Sequence, residues 1–185
     1  MTIETLKNAL PEYAKDIKLN LSSIVNEDTL TEQQLWGTLL ASALASRNAQ
    51  VIQSIAAEAE EHLSPEAVNA AKAAHAIMGM NNIYYRFLSL TSDKEYQTMP
   101  ANLRMSILAN PGIEKGDFEA YELAVSVINA CKGCVTAHET GLVKEGFTKK
   151  EIQTIVRIAS IVHAVSVVLE GETTLGAATT AAQAA

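Results

Sequence analysis

The chain has 185 residues, enough for one domain or for one domain built from two similar halves. Hydrophobic residues make up 48% and aromatic residues only 5%, which suits closely packed helices and speaks against a β-sandwich. With 14 Lys and Arg against 21 Asp and Glu the formal charge is −7, which argues against nucleic acid as the main partner, because phosphate binding rests on basic patches.

MTIETLKNALPEY carries no charged-then-apolar leader. The opening helix has Leu10, Tyr13, Ile17, Leu21 and Ile24 on one stripe, with Pro11 in its first turn. After a turn at Asn26 to Thr29, Thr31 and Gln34 form a capping box for a helix over Glu32 to about Ala45, with Trp36, Leu39, Leu40 and Ala43 inward. Arg47-Asn48-Ala49 interrupts it, and a further helix runs from about Gln50 to His62. Ser64 as N-cap and Pro65 at the first helical position start the next, with Val68, Ala71, Ala74, His75 and Met78 on one face.

Asn81 to Arg104 is the least periodic stretch: Tyr84, Tyr85 and Phe87 cluster, Ser92 and Glu95 suggest a short capped helix, and Met99-Pro100 breaks it. A short helix over Ala101 to Leu108 and a turn at Asn110-Pro111-Gly112 follow. Leu123, Ala124, Val127 and Ile128 recur at helical spacing between Glu119 and Cys131, which predicts an amphipathic helix. Another helix runs from the cysteines to about Glu145 and ends at Gly146. Thr148 and Glu151 cap a long helix carrying Ile152, Ile155, Val156, Ala159, Val162, Val165 and Val168, stopped by Glu170-Gly171. Its apolar run, Ile155 to Leu169, is broken by Arg157 and His163 and falls short of the roughly 20 residues of a membrane span. The expectation is a soluble cytoplasmic protein without a membrane segment.

No strand pattern is present, so the fold class is all-α. A shift of 84 residues lays the Ser64 helix on the Thr148 helix and the Trp36 helix on the Glu119 helix. We therefore expect one multi-helix domain over 1–172, in similar halves of about 1–90 and 91–172, with an Ala/Thr-rich tail at 173–185 that frays. In that overlay Arg47 and Gln50 take the places of Cys131 and Cys134, so the first half keeps the packing and lacks the chemistry.

The only two cysteines stand in a C-x-x-C arrangement, with His138 four residues after the second and Glu119 twelve before the first. Two intervening residues allow sulfur–sulfur contact across one turn, so the pair can cycle between dithiol and disulfide. If the backbone is helical there, Cys134 and His138 share a face, and a helix N-terminus favours a thiolate. The plainer alternatives are a buried inert pair or half of a zinc site, for which two cysteines and four scattered histidines offer a poor ligand set. His138 reads either as the base for a thiol or as an ordinary helix histidine. Glu119 can orient it or relay its proton, and Glu122 competes for that role. Lys132 adds positive charge beside the thiols or is simply exposed. Trp36, Tyr84, Tyr85 and the methionines at 78, 80, 99 and 105 read as core and interface.

E-x(11)-C-x-x-C-x-x-x-H in an all-helical chain, together with LPEYAKDIKLNLSSI, QLWGTLLASALASRN, AIMGMNN and LRMSILANPGI, resembles the carboxymuconolactone decarboxylase-like superfamily and its alkyl hydroperoxidase D branch. The similarity covers nearly the whole chain. It implies an antioxidant lipoyl-dependent peroxidase that also re-reduces a partner peroxiredoxin, the alkyl hydroperoxide reductase proper. Electrons would come from NADH through dihydrolipoamide dehydrogenase and a lipoylated acyltransferase, with dihydrolipoamide as reductant and no cofactor or metal bound. The resemblance makes Glu119 the acid, His138 the base, and Cys134 the sulfur that meets peroxide and passes through a sulfenic acid. Cys131 becomes the proton-donating, resolving thiol that closes the disulfide and carries the mixed disulfide with the peroxiredoxin. Some members have a histidine just before the second cysteine, where this chain has Gly133. The family's trimers imply a homotrimer. Two rivals are a lactone-acid decarboxylase, which has no need of paired thiols, and a non-enzymatic redox-sensing helical module.

Overall fold

The first turns of the helices are set by local hydrogen bonds. The Thr31 hydroxyl accepts from the Gln34 backbone N–H while Gln34 Oε1 accepts from the Thr31 N–H, and Thr148 and Glu151 repeat the arrangement. Ser64 accepts from the Ala67 N–H, with Pro65 behind it where a missing N–H costs nothing. The computed structural model describes residues 2–183, with side chains to residue 176. Among the described residues all regular structure is helical: α1 Ile3–Ala9, α2 Lys15–Ile24, α3 Glu32–Ser46, α4 Ala49–His62, α5 Pro65–Leu90, α6 Lys115–Ile128, α7 Lys132–Lys144 and α8 Lys149–Gln183. Short 3-10 turns lie at Glu12–Ala14, Lys94–Gln97 and Ser106–Ala109.

α3 and α6 are the central pair, packed on each other and walled in by α5 and α8. Leu35 to Ala43 and Ala120 to Ser126 are buried without a break. α6 is thus a core helix and not the amphipathic one that its apolar spacing predicts; the extra buried face is filled by Ala120, Tyr121, Glu122 and Ser126. The two helices approach closely at Gly37, where a Cβ would run into the Tyr121 ring. The Tyr121 hydroxyl donates to the Gln33 carbonyl at 2.9 Å, so its one polar atom is satisfied inside the core.

Four expectations about elements need correction. The opening stripe is split: Leu10, ahead of Pro11, is extended (φ −74°, ψ 126°), as a residue before proline prefers. Tyr13 is 73% exposed, its hydroxyl donating to Glu172 at 2.8 Å. α5 runs straight through Asn81 to Leu90, and the expected helix over Ala101 to Leu108 shrinks to Ser106–Ala109, because Asn102 is left-handed (φ 52°) just after Pro100. α8 does not stop at Glu170-Gly171; Asn48 donates to Glu170 at 2.9 Å and the helix continues to Gln183. The frayed tail expected at 173–185 is therefore helical as far as it is described, and residues 184 and 185 lie outside the described residues.

That extension makes Lys149–Gly176 long and apolar enough to cross a membrane by length and composition, unlike the shorter run read from the sequence. Its inward side, Ile155, Ile158, Ala159, Val162 and Val165, is buried against α3 and α6, so this apolar surface forms core.

The succession α3–α4–α5 recurs as α6–α7–α8, with helix starts 83, 83 and 84 residues apart. The left-handed turn residues Arg47 (φ 62°) and Ala130 (φ 53°) correspond. The N-caps Asn48 and Cys131 also correspond, each side chain accepting a backbone N–H three residues on. The offset at this point is 83 and not 84, so Asn48 and Val51 occupy the places of the two cysteines, in place of the expected Arg47 and Gln50.

Candidate active site

The turn between α6 and α7 carries the cysteines, and α5 holds that turn in place. Arg86 donates to the Asn129 carbonyl at 2.9 Å, where a cation suits the C-terminal end of α6. Asn129 donates to Asn82 at 3.0 Å, and Asn82 donates to the Ser126 hydroxyl at 2.9 Å. These contacts explain the aperiodic stretch at Asn81: Asn81 and Asn82 are buried amides on a helix, and the pattern of apolar spacing breaks there. The sequence reading missed Asn82 and Arg86. Adjacent asparagines between apolar residues were the available signal, since buried polar groups need partners.

Cys131 caps α7, its sulfur accepting the Cys134 N–H at 3.3 Å. The two cysteines are joined in a disulfide with Cα atoms 5.4 Å apart. Cys131 is fully buried and Cys134 is 5% exposed. Cys134, Gly133 and His138 line a cavity of about 480 Å³ whose apolar wall includes Met78, Tyr85, Leu88 and Met105. Met78 is therefore a cavity residue as well as core, and Met105, half-buried, lines the cavity without joining the core. A Cβ on Gly133 would meet nothing within 4 Å, so a first side-chain carbon is accommodated at that position. Lys132 is exposed in the first turn of α7.

α7 is helical from Lys132 onward, so His138 stands one turn past Cys134 on the cavity side. Its Nδ1 lies 2.7 Å from Glu119 Oε2 and 3.6 Å from Glu122 Oε2. Its Nε2 lies 3.3 Å from the Met78 sulfur, a weak acceptor. Glu119 Oε2 accepts a hydrogen bond from the Nδ1–H and so fixes the tautomer, leaving Nε2 toward the cavity. Glu119 thus makes the closer contact of the two rival acids, but the structure brings both to the ring.

The carboxyls differ in surroundings. Glu119 is partly exposed, while the Glu122 side chain is 3% exposed and its Oε1 has no hydrogen-bond partner among the described residues. Burial, and secondarily the charge of Glu119, pushes the Glu122 pKa up to about 8. Among the described residues, Glu119, Glu122 and His138 are also the group whose donor atoms, all within 4.8 Å of one another, come close enough to meet on a cation. The ring nitrogen facing the carboxyls is already engaged with Glu119, and neither carboxyl lines the cavity.

Fold and site together define an all-helical protein with a disulfide-linked cysteine pair at a cavity, backed by an acid–imidazole pair. Residues 94–172 match the carboxymuconolactone decarboxylase family. The alkyl hydroperoxide reductase AhpD of Maricaulis maris is 57% identical over 93% of this chain and 99% of its own length. The protein of the same name from Gluconacetobacter diazotrophicus is 56% identical over 95% and 97%, and that from Brucella anthropi 49% over 94% and 99%. The chain belongs to the carboxymuconolactone decarboxylase-like superfamily, in its alkyl hydroperoxide reductase AhpD branch.

Proposed function

We propose that the protein is an antioxidant thiol peroxidase that reduces alkyl hydroperoxides with Cys131 and Cys134 and draws its electrons from dihydrolipoamide. The observation that carries this reading is the shared cavity of Cys134 and His138, with Glu119 holding the far side of the ring at 2.7 Å. In the reduced enzyme His138 Nε2 takes the Cys134 proton, and the thiolate attacks the terminal peroxide oxygen. An S–O bond forms, the O–O bond breaks, and the alkoxide leaves with the proton from His138, so that Cys134 becomes a sulfenic acid. The Cys131 sulfur then attacks Cys134, the S–O bond breaks, and hydroxide departs as water with the Cys131 proton.

Two electrons return through thiol exchange. One dihydrolipoamide thiolate bonds to Cys134 and expels Cys131 as a thiolate, and the second thiol of the reductant displaces Cys134. The resemblance gives Cys131 the mixed disulfide with the peroxiredoxin. Complete burial of Cys131 and the position of Cys134 on the cavity favour Cys134 as the sulfur that an incoming thiol meets. The N-terminus of α7 favours Cys131 as leaving group, since its sulfur already accepts the Cys134 N–H. Re-reduction of the peroxiredoxin uses the same dithiol, with the lipoylated acyltransferase and dihydrolipoamide dehydrogenase upstream.

We place the protein in the cytoplasm, where a reversible dithiol is kept cycling, and as a homotrimer, in keeping with the exposed apolar residues Ile83, Phe87 and Leu90 along outer α5. Decarboxylation of a lactone acid would leave the cysteine pair without a part. The test is NADH oxidation on addition of cumene hydroperoxide, with dihydrolipoamide dehydrogenase and lipoamide present, with and without the peroxiredoxin. Hydroperoxide-dependent oxidation that vanishes in Cys134→Ser is the expected result; oxidation unchanged in that variant overturns the reading.

A further inference from the structure

One buried acid has no part in the scheme above. Glu122 sits one turn along α6 from Glu119, and both carboxyls converge on the same ring nitrogen of His138, at 3.6 and 2.7 Å. A carboxyl that is 97% covered with an oxygen lacking any partner is costly to keep. An alanine or leucine would fill a core helix at less expense, so its retention beside the base needs a reason.

We propose that Glu122 is a positioning residue that acts as a proton reserve for His138, sharing one proton with the ring so that the ring stays able to donate to the departing alkoxide as the solution becomes alkaline. This rests on the peroxidase reading. The active arrangement needs a thiolate on Cys134 and a proton on the imidazole. With a neutral amide at 122 the ring would have one carboxylate to hold its proton. With a second carboxyl able to ionise, loss of a proton from the pair leaves either neutral acid beside neutral ring or carboxylate beside imidazolium, and the second form is still competent. The raised Glu122 pKa accords with a proton held in this cluster into the alkaline range.

The other groups around the pair do not offer the same service. Glu119 is the titratable neighbour on α6 and is engaged with Nδ1. On α7 the neighbour is His138 itself, with Cys134 on the same cavity as the ring. Among the described residues, the buried polar side chains of α3, α5 and α8 are the uncharged Thr38, Ser42, Asn81, Asn82, Thr154 and Ser166.

The experiment compares the reduced wild-type chain with Glu122→Gln, following single-turnover thiol oxidation by cumene hydroperoxide from pH 5 to 10. We expect the alkaline limb of the variant to move to lower pH by about one unit or more, as removal of an opposite charge near an imidazole implies, with the acid limb, set by the thiol, in place. Nitrogen-15 NMR of the His138 ring should show its proton lost at lower pH in the variant. In the wild type alone, the infrared carbonyl band of a protonated buried carboxyl should bleach in the same pH range as the ring titrates, which reads the coupling even if the variant fails to fold. Superimposable alkaline limbs in a folded variant, or a ring titration independent of the carboxyl band, overturn the proposal. The NMR and infrared readings need no turnover. A wild type that ignores hydroperoxide would therefore sink the peroxidase reading and leave the proton coupling to be judged separately.

Discussion

Gly141 and Glu119 are in contact across the α6–α7 interface: a Cβ on Gly141 would sit 2.9 Å from the Glu119 carboxyl carbon. The missing side chain is what lets the Glu119 carboxyl lie against α7 and reach His138.

Gly141→Ala should therefore separate stability from activity. Alanine favours the helix by roughly 1 kcal/mol over glycine, and the displaced group is the mobile end of a side chain, so the melting temperature should hold or rise. Peroxide turnover should fall by about 100-fold, the order expected for misplacing a positioning group by about an ångström. A variant that melts as expected and turns over at the wild-type rate would show that the Glu119 contact is not needed.

The two sulfurs should fail in different ways. Cys131→Ser should still react once with hydroperoxide and leave a sulfenic acid on Cys134 that dimedone traps. Cys134→Ser should give no adduct. Peptide mapping of the dimedone label decides this, and a label found on Cys131 would reverse the assigned order.

Glu122 makes the stability of the fold depend on pH. Its proton is bound up to about pH 8 in the folded state, against an ordinary value of 4.5. The stability tied to that proton is fully present below 4.5 and is lost as the pH rises through about 8, since the folded state binds the proton more tightly. At about 1.36 kcal/mol per pKa unit, the difference between wild type and Glu122→Gln in urea unfolding should shift against the wild type by a few kcal/mol between pH 5 and pH 9. Parallel stability profiles would contradict the burial argument.

Gly37→Ala tests the closest approach in the core. The new methyl would collide with the Tyr121 ring, which is fully buried and anchored to the Gln33 carbonyl. Overpacking of this kind costs roughly 1–3 kcal/mol, and a rigid ring between two central helices points to the upper end. Thermal unfolding followed by circular dichroism should show the loss; an unchanged midpoint would mean the helices can part without cost.

Helix starts were readable from the chain alone because capping is local: Thr31 with Gln34, Ser64 with Pro65, and Thr148 with Glu151 each carry their own instruction. The all-helical class and the Cys134–His138 face followed from such spacing. The continuation of α5 past Asn81 was hidden because the buried Asn82 amide is satisfied by Ser126 and Asn129, more than 40 residues away. Likewise α8 passes Gly171 because Asn48 and Tyr13 hold Glu170 and Glu172 from distant elements. Glu119 and Glu122 are chemically alike in sequence, and only the folded chain separates them, by burial and by their distances from His138.

The paired caps, Asn48 and Cys131, suggest where this scaffold accepts a transplant. Asn48→Cys with Val51→Cys would copy the dithiol into the first repeat, on a backbone already bent for it. Its surroundings would not be copied. The same offset sets Ile55 where His138 stands and Trp36 where Glu119 stands, and Val51 and Ile55 are wholly enclosed. The grafted bridge would be a silent staple, closed off from peroxide and without a base. Reactivity in this family architecture is thus conferred by what is placed around a bend that both repeats possess.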